Sequence, residues 1–184
     1  MNPKSYVRNA VRTKSDGFYS VLVPPSIFQV AIIEAMTIGN LVDAIKKALF
    51  YGKPYSAPQR LINAAASLPE PIRAKGFSFN AVPVDVQHAI LGVFTEGAEL
   101  VEALGISAVD GEPLDLVNLD EEFGDILWYV AVYCDHRGIS IEDLMAKNIA
   151  KLRARFPDRF STEKAIHRNL DAERKELEQN QDSN

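Results

Sequence analysis

The chain has 184 residues, 47% of them hydrophobic and 24% charged, with a formal net charge of -5. That length suits one domain with an added subdomain, and the apolar fraction excludes a globally disordered chain. The acidic balance argues against a binder of DNA or RNA polymers, which needs a basic face to release counterions, but it admits a small anionic ligand held through metal ions.

The first residues, "MNPKSYVRNAVRTKSDG", lack the apolar stretch of a secretion signal, and no apolar run is expected to span a bilayer. A short helix is predicted over 4–12. "SDGFYSVLVPP" reads as an extended lead-in, and Ser26 as the N-cap of a helix to about Phe50, stopped by "YGKPYSAP". "PQRLINAAASLPEPIRAKG" predicts one short helix and a turn. A long helix comes next over 84–104, then a loop, "GISAVDGEPLDLV", then a helix over 118–136. Ser140 with Asp143 has capping-box spacing and opens a helix to about Arg155, broken at Pro157. A charged final helix is predicted over 161–178, and "QNQDSN" should fray. Alternating strands are nearly absent, so the fold class is all-α, with antiparallel helices joined by modest loops. The single cysteine, Cys134, lies in an apolar helical run; no disulfide framework exists and a reducing, cytoplasmic compartment is expected.

One internal similarity stands out. A shift of 59 residues sets 27–56 against 86–115 without gaps, and Leu41, Val42, Ala44, Gly52 and Pro54 meet Leu100, Val101, Ala103, Gly111 and Pro113. A decayed repeat and a chance likeness of two amphipathic helices are the alternatives. Under the first, Thr37 and Asn40 stand where the second copy has Glu96 and Glu99.

The chemistry concentrates in the second copy and after it. Glu96 and Glu99 sit at i, i+3 in "TEGAELVEAL"; Glu122 and Asp125 do so in "DEEFGD". Residues three apart share one helix face, so each pair can grip one side of a cation. Hard oxygen donors without Cys or His suit Mg²⁺ or Mn²⁺ rather than Zn²⁺, and so many converging negative charges are costly without a metal. The bland alternative, a solvated acidic face, fits Glu121, which has capping-box spacing from Asn118, and Asp120, near a helix dipole. It also fits Glu102. It fits the two pairs less well, since Phe94, Leu100 and Val101 hem one and Phe123, Ile126 and Leu127 the other. No Glu-x-x-His motif and no P-loop sequence occurs. Asn148, Lys151 and Arg155 make one stripe on the helix after Ser140. By itself that stripe is a solvated helix end; beside an acidic metal site it indicates a phosphate-bearing ligand.

Glu96-x-x-Glu99, twenty-two intervening residues and then Glu122-x-x-Asp125 resembles the signature of the MazG-like all-α nucleoside triphosphate pyrophosphohydrolases. "NLDEEFGDILWYVAVY" is similar to that family's third helix, "NIAKLRARFPDRF" to its closing motif, and "FPDRFSTEKAIHRNLDAERKELE" to the tail of a phage and bacterial branch. The resemblance runs from about Asp85 to Glu178. It implies a MazG-like helical bundle with a four-helix-type core in a catalytic domain over 84–180, preceded by an N-terminal helical extension over 1–83. It implies Mg²⁺-dependent hydrolysis of a nucleoside triphosphate to the monophosphate and pyrophosphate, with Mn²⁺ as a substitute. By matched position, Glu96, Glu99, Glu122 and Asp125 are metal ligands and act in catalysis with Lys151. Asn148, Lys151 and Arg155 bind substrate. Many relatives carry an extra acid where Thr95 stands, which bears on the number of metal ions.

"DAIKKALFYGKPYS" resembles the segment after the first acidic helix in that branch but lies in the N-terminal half, where Lys46, Lys47 and Lys53 either reach substrate or form an exposed basic helix end. The base is not specified: guanine nucleotides and a dUTP preference are both within the family. Phe94, Trp128 and Tyr129 are candidates to stack on a base, with core packing as the alternative. No nucleic acid polymer and no membrane is expected as a partner. A homo-oligomer, dimer or tetramer, is implied, because a lone acidic helix pair cannot bury both faces. A non-catalytic helical module with a structural cation is the rival from another class.

Overall fold

The computed structural model describes residues 1–15, 17–76 and 78–178. Its helices are α1 (Pro3–Val11), α2 (Pro25–Tyr51), α3 (Gln59–Ala66), α4 (Glu70–Lys75), α5 (Val84–Asp110), α6 (Leu116–Arg137), α7 (Ile141–Arg155), α8 (Thr162–Ile166) and α9 (Leu170–Glu178), and no strand occurs among the described residues. The chain is all-α. The expected fraying of "QNQDSN" lies outside the described residues.

Two compact units form, one from residues 25–136 and one from residues 1–24 with 137 onward. In the first, α2 and α5 pack antiparallel. Gly39 faces Ala98, where an added Cβ would come within 2.2 Å of the Ala98 Cβ, and Gly105 faces Ile32, where it would meet Cγ2 at 2.8 Å. Absent side chains at these two positions let the helices approach closely, which more than offsets the helix-propensity cost of glycine. Gly105 also explains a misplaced boundary. As a helix breaker it predicted an end near residue 104, yet α5 runs on to Asp110 because Gly105 is a packing residue. The helix stops at Gly111, whose φ of +71° is the left-handed conformation glycine adopts freely.

Other boundaries moved for identifiable reasons. Pro25 occupies the first turn of α2, where its missing N–H costs nothing, so the helix begins before Ser26. The capping role expected of Asn118 with Glu121 falls to Asp115, whose Oδ1 accepts from the Val117 (2.9 Å) and Asn118 (3.2 Å) amides. Ser140 and Asp143 do form the reciprocal capping box of α7. The single charged helix expected after Ser161 is instead two, α8 and α9, and Asn169 caps the second by accepting from the Ala172 amide at 3.0 Å. The segment over 59–75 holds two short helices rather than one.

The shift of 59 residues also carries structure with it. It maps a 3₁₀ turn at Ser20–Leu22 onto one at Phe79–Ala81, and α2 onto α5, both 27 residues long. Gly52 and Gly111, equivalent under the same shift, both have positive φ.

α2 corrects one expectation. Among the described residues it is long and apolar enough, by length and composition, to cross a bilayer, with a mean hydropathy of 1.4. Three of its four charges, Asp43, Lys46 and Lys47, lie in its second half, and Glu34 lies in its first.

In the other unit, α7 packs against α9 and α1. The centre is Ile149, with Phe156 beside it, both buried. Glu173 of α9 is buried too and is clamped by two arginines. Arg155 donates from Nε to Oε1 at 2.8 Å and from Nη2 to Oε2; Arg168 donates from Nη2 to Oε2 at 2.8 Å. The Arg155 bonds first, then those of Arg168, hold the Glu173 carboxyl down at about 2.

Candidate metal centre

α5 and α6 meet through side chains. Gly92 leaves the space in which the Tyr129 ring lies against α5, since an added Cβ would fall 2.2 Å from it. One to two helical turns along, the acids converge. Oxygens of Glu96, Glu122 and Asp125 all lie within 4.8 Å of one another, Glu96 and Glu122 buried and Asp125 exposed. The spacing of three places Glu122 and Asp125 on the face of α6 that meets Glu96. Glu99 stands beside this trio. With Glu102, Asp115, Asn118 and Glu122 it lines an open cleft of about 290 Å³.

Burial and like charge act on two acids of this cluster, Glu122 and Glu99. Burial, and then the charges of Glu99 and Glu96, push the Glu122 carboxyl up to about 7, and a hydrogen bond with Glu96 adds to this. Burial, and then Glu96 and Asp43, raise Glu99 as well. Buried like charges either share protons or bind a cation. The donors are all carboxylate oxygens, the set that hard divalent ions such as Mg²⁺ and Mn²⁺ prefer, so the residues present fit such an ion.

The site holds a partner that spacing did not disclose. Lys46 of α2 is 3% exposed. Its ammonium donates to Thr95 Oγ1 at 2.7 Å, Glu96 Oε1 at 2.9 Å and Tyr129 Oη at 3.2 Å. Asp43 Oδ1 lies 3.4 Å away in an ion pair. Burial by itself lowers the pKa of Lys46, but the bonds and charge of Glu96, with those of Tyr129, outweigh it and the net shift is upward. Lys46 is therefore a charged, inward-facing residue and not part of an exposed basic helix end. Lys47 instead pairs with Asp43 on the same helix.

Of the aromatic candidates, Tyr129 is buried and engaged with Lys46, whereas Phe94 and Trp128 are 45% and 52% exposed. Leu127 and Phe123, expected to hem the second acid pair, are 59% and 56% exposed. The expected hemming by apolar neighbours is thus incomplete within one chain. Asn148, Lys151 and Arg155 belong to α7 in the other unit. There Asn148 Oδ1 accepts from the Tyr6 hydroxyl at 3.3 Å, Arg155 is committed to Glu173, and Lys151 is half-buried.

A raised Glu122 pKa has a defined consequence for stability. Its protonated form is favoured by the fold, so its contribution is complete below 4.5 and is lost as the pH rises through about 7. With chelator present, the melting temperature of the wild type minus that of Glu122→Gln should fall between those pH values, as read by thermal unfolding. A difference that stays level across the range would show an ordinary carboxylate at this position.

Residues 85–160 match the family model described as the MazG nucleotide pyrophosphohydrolase domain. No curated protein and no solved structure gives a significant match. The matched segment holds the acid trio on α5 and α6 and the Asn148–Lys151–Arg155 stripe on α7, and over that span the chain is similar to the MazG nucleotide pyrophosphohydrolase family.

Proposed function

We propose that this chain hydrolyses a nucleoside triphosphate to the monophosphate and pyrophosphate with Mg²⁺. The observation that carries this reading is the convergence of Glu96, Glu122 and Asp125 within a nucleotide pyrophosphohydrolase domain. When bound, the cation supplies charge neutralisation for the triphosphate and Lewis-acid polarisation of a phosphoryl oxygen. Glu96, Glu122 and Asp125 hold it. Glu99 lies outside the trio and is raised by burial, which suits it to accept a proton from the attacking water. Lys151, Asn148 and Arg155 take the phosphate-binding role implied by family resemblance. Arg155 enters it only by giving up Glu173. The base is assigned to no one residue; guanine nucleotides and dUTP are the two classes to compare first.

One observation favours the non-catalytic alternative, in which the acids hold only a structural cation: Lys46 already neutralises part of the Glu96 charge. A panel of (d)NTPs with Mg²⁺ separates the two readings. Pyrophosphate release by the wild type, reduced roughly 100-fold or more in Glu122→Gln with the helical circular dichroism unchanged, supports the enzyme. Absence of turnover on every nucleotide supports the module.

We further propose that the chain is a homo-oligomer and that α2 and α5 descend from one duplicated helix. Exposed Phe94, Phe123, Leu127 and Trp128 support the first, being large apolar side chains on the two helices that carry the acids. The matched bounds of α2 and α5 support the second. Light scattering should give a mass of two or four chains for the wild type and a lower mass for Leu127→Asp. A monomeric wild type would overturn the oligomer.

A further inference from the structure

Lys46 brings to this site a positive charge that metal-binding spacing does not account for. Its ammonium has four oxygen partners: Thr95 Oγ1, Glu96 Oε1 and Tyr129 Oη at hydrogen-bond distance and Asp43 Oδ1 in ion-pair contact. An all-oxygen shell including two carboxylates is the shell a hard cation takes. An ammonium has three protons, and three acceptors use them. The fourth oxygen, Asp43 Oδ1, is buried and has charge contact but no hydrogen bond. That pattern marks a position selected for positive charge more than for a complete set of hydrogen bonds. The shell is assembled from α2, α5 and α6 together. It depends on the close approach at Gly39 and on the space at Gly92, so it is part of the packing and not a surface accident.

Resting on the metal-site reading above, we propose that the Lys46 ammonium is a resident cation of this site. It stands in for one divalent ion on the Oε1 side of Glu96, so that the chain binds a single divalent ion through Glu96, Glu122 and Asp125. Lys46 is a positioning residue in this account. It fixes one oxygen of Glu96 by a charge-assisted bond and leaves the other for the metal. A second divalent ion on the Thr95 side is excluded by like charge and by the volume of the lysine stem.

The test counts ions. Mn²⁺ binding is followed by electron paramagnetic resonance on the full chain, and the centre's ions are those lost in Asp125→Asn. The wild type should hold one. Lys46→Met, which keeps the stem volume and removes the charge, should bind that ion at least about tenfold more tightly. Lys46→Ala, which also opens the oxygen-lined space, should bind a second. Lys46→Arg should keep the count at one. A wild type holding two or more ions at the centre overturns the proposal, as does a Lys46→Met chain that binds Mn²⁺ equally or more weakly. The wild-type count decides by itself if a variant fails to fold. A wild type that binds no Mn²⁺ removes the metal-site reading, and this proposal with it, a result distinct from a count of two.

Discussion

Carboxylates do not share a dry pocket without compensation, and two of them, Glu96 and Glu122, are buried next to each other with Asp125 at the rim. The character of the first unit comes largely from how that cost is met. On one side Lys46 reaches across from α2 and binds Glu96 Oε1. On the other side burial, and then the charges of Glu99 and Glu96, raise Glu122 to about 7, and the negative charge left there makes the site receptive to a divalent ion. The packing serves the same end. Gly39 lets α2 come close enough for a lysine to enter, and Gly92 makes room for the tyrosine that closes the shell.

The family match begins at residue 85, after α2. The helix that supplies Lys46 and Asp43 therefore lies outside the matched segment, although it is the helix most extensively packed on α5. Equal length and matched ends make α2 a structural counterpart of α5, with Gly39 and Ala98, equivalent under the 59-residue shift, facing each other at the closest approach. On the duplication we propose, one copy kept the acids and the other came to supply the positive charge that answers them.

Much of the site was legible in the sequence because helical spacing is a local rule. Glu96, Glu122 and Asp125 could be placed from i, i+3 periodicity and the length of the intervening connection. So could the Ser140–Asp143 cap, which depends on four consecutive residues. The features that escaped depend on tertiary packing. Gly105 read as a helix end because its reason, Ile32 of α2, is distant in sequence. Lys46 could be read only as reaching substrate or as part of an exposed basic helix end, because the α2–α5 register that turns it inward is a tertiary feature; the 59-residue shift was the available signal, since it pairs α2 with an acid-bearing helix. Asp115 displaced Asn118 as the cap because two acceptors with capping spacing were in competition, and spacing cannot rank them. The hemming expected of Phe123 and Leu127 is incomplete because periodicity identifies an apolar face without saying whether the same chain covers it.

The central claim is that Glu96, Glu122 and Asp125 jointly hold one divalent cation. Anomalous diffraction from crystals of the full chain grown with Mn²⁺ tests it most directly. The account predicts one peak per chain, about 2.1 Å from an oxygen of each of the three carboxylates, with the Lys46 ammonium still on Glu96 Oε1. A peak elsewhere, or no peak at a Mn²⁺ concentration that supports turnover, would contradict it.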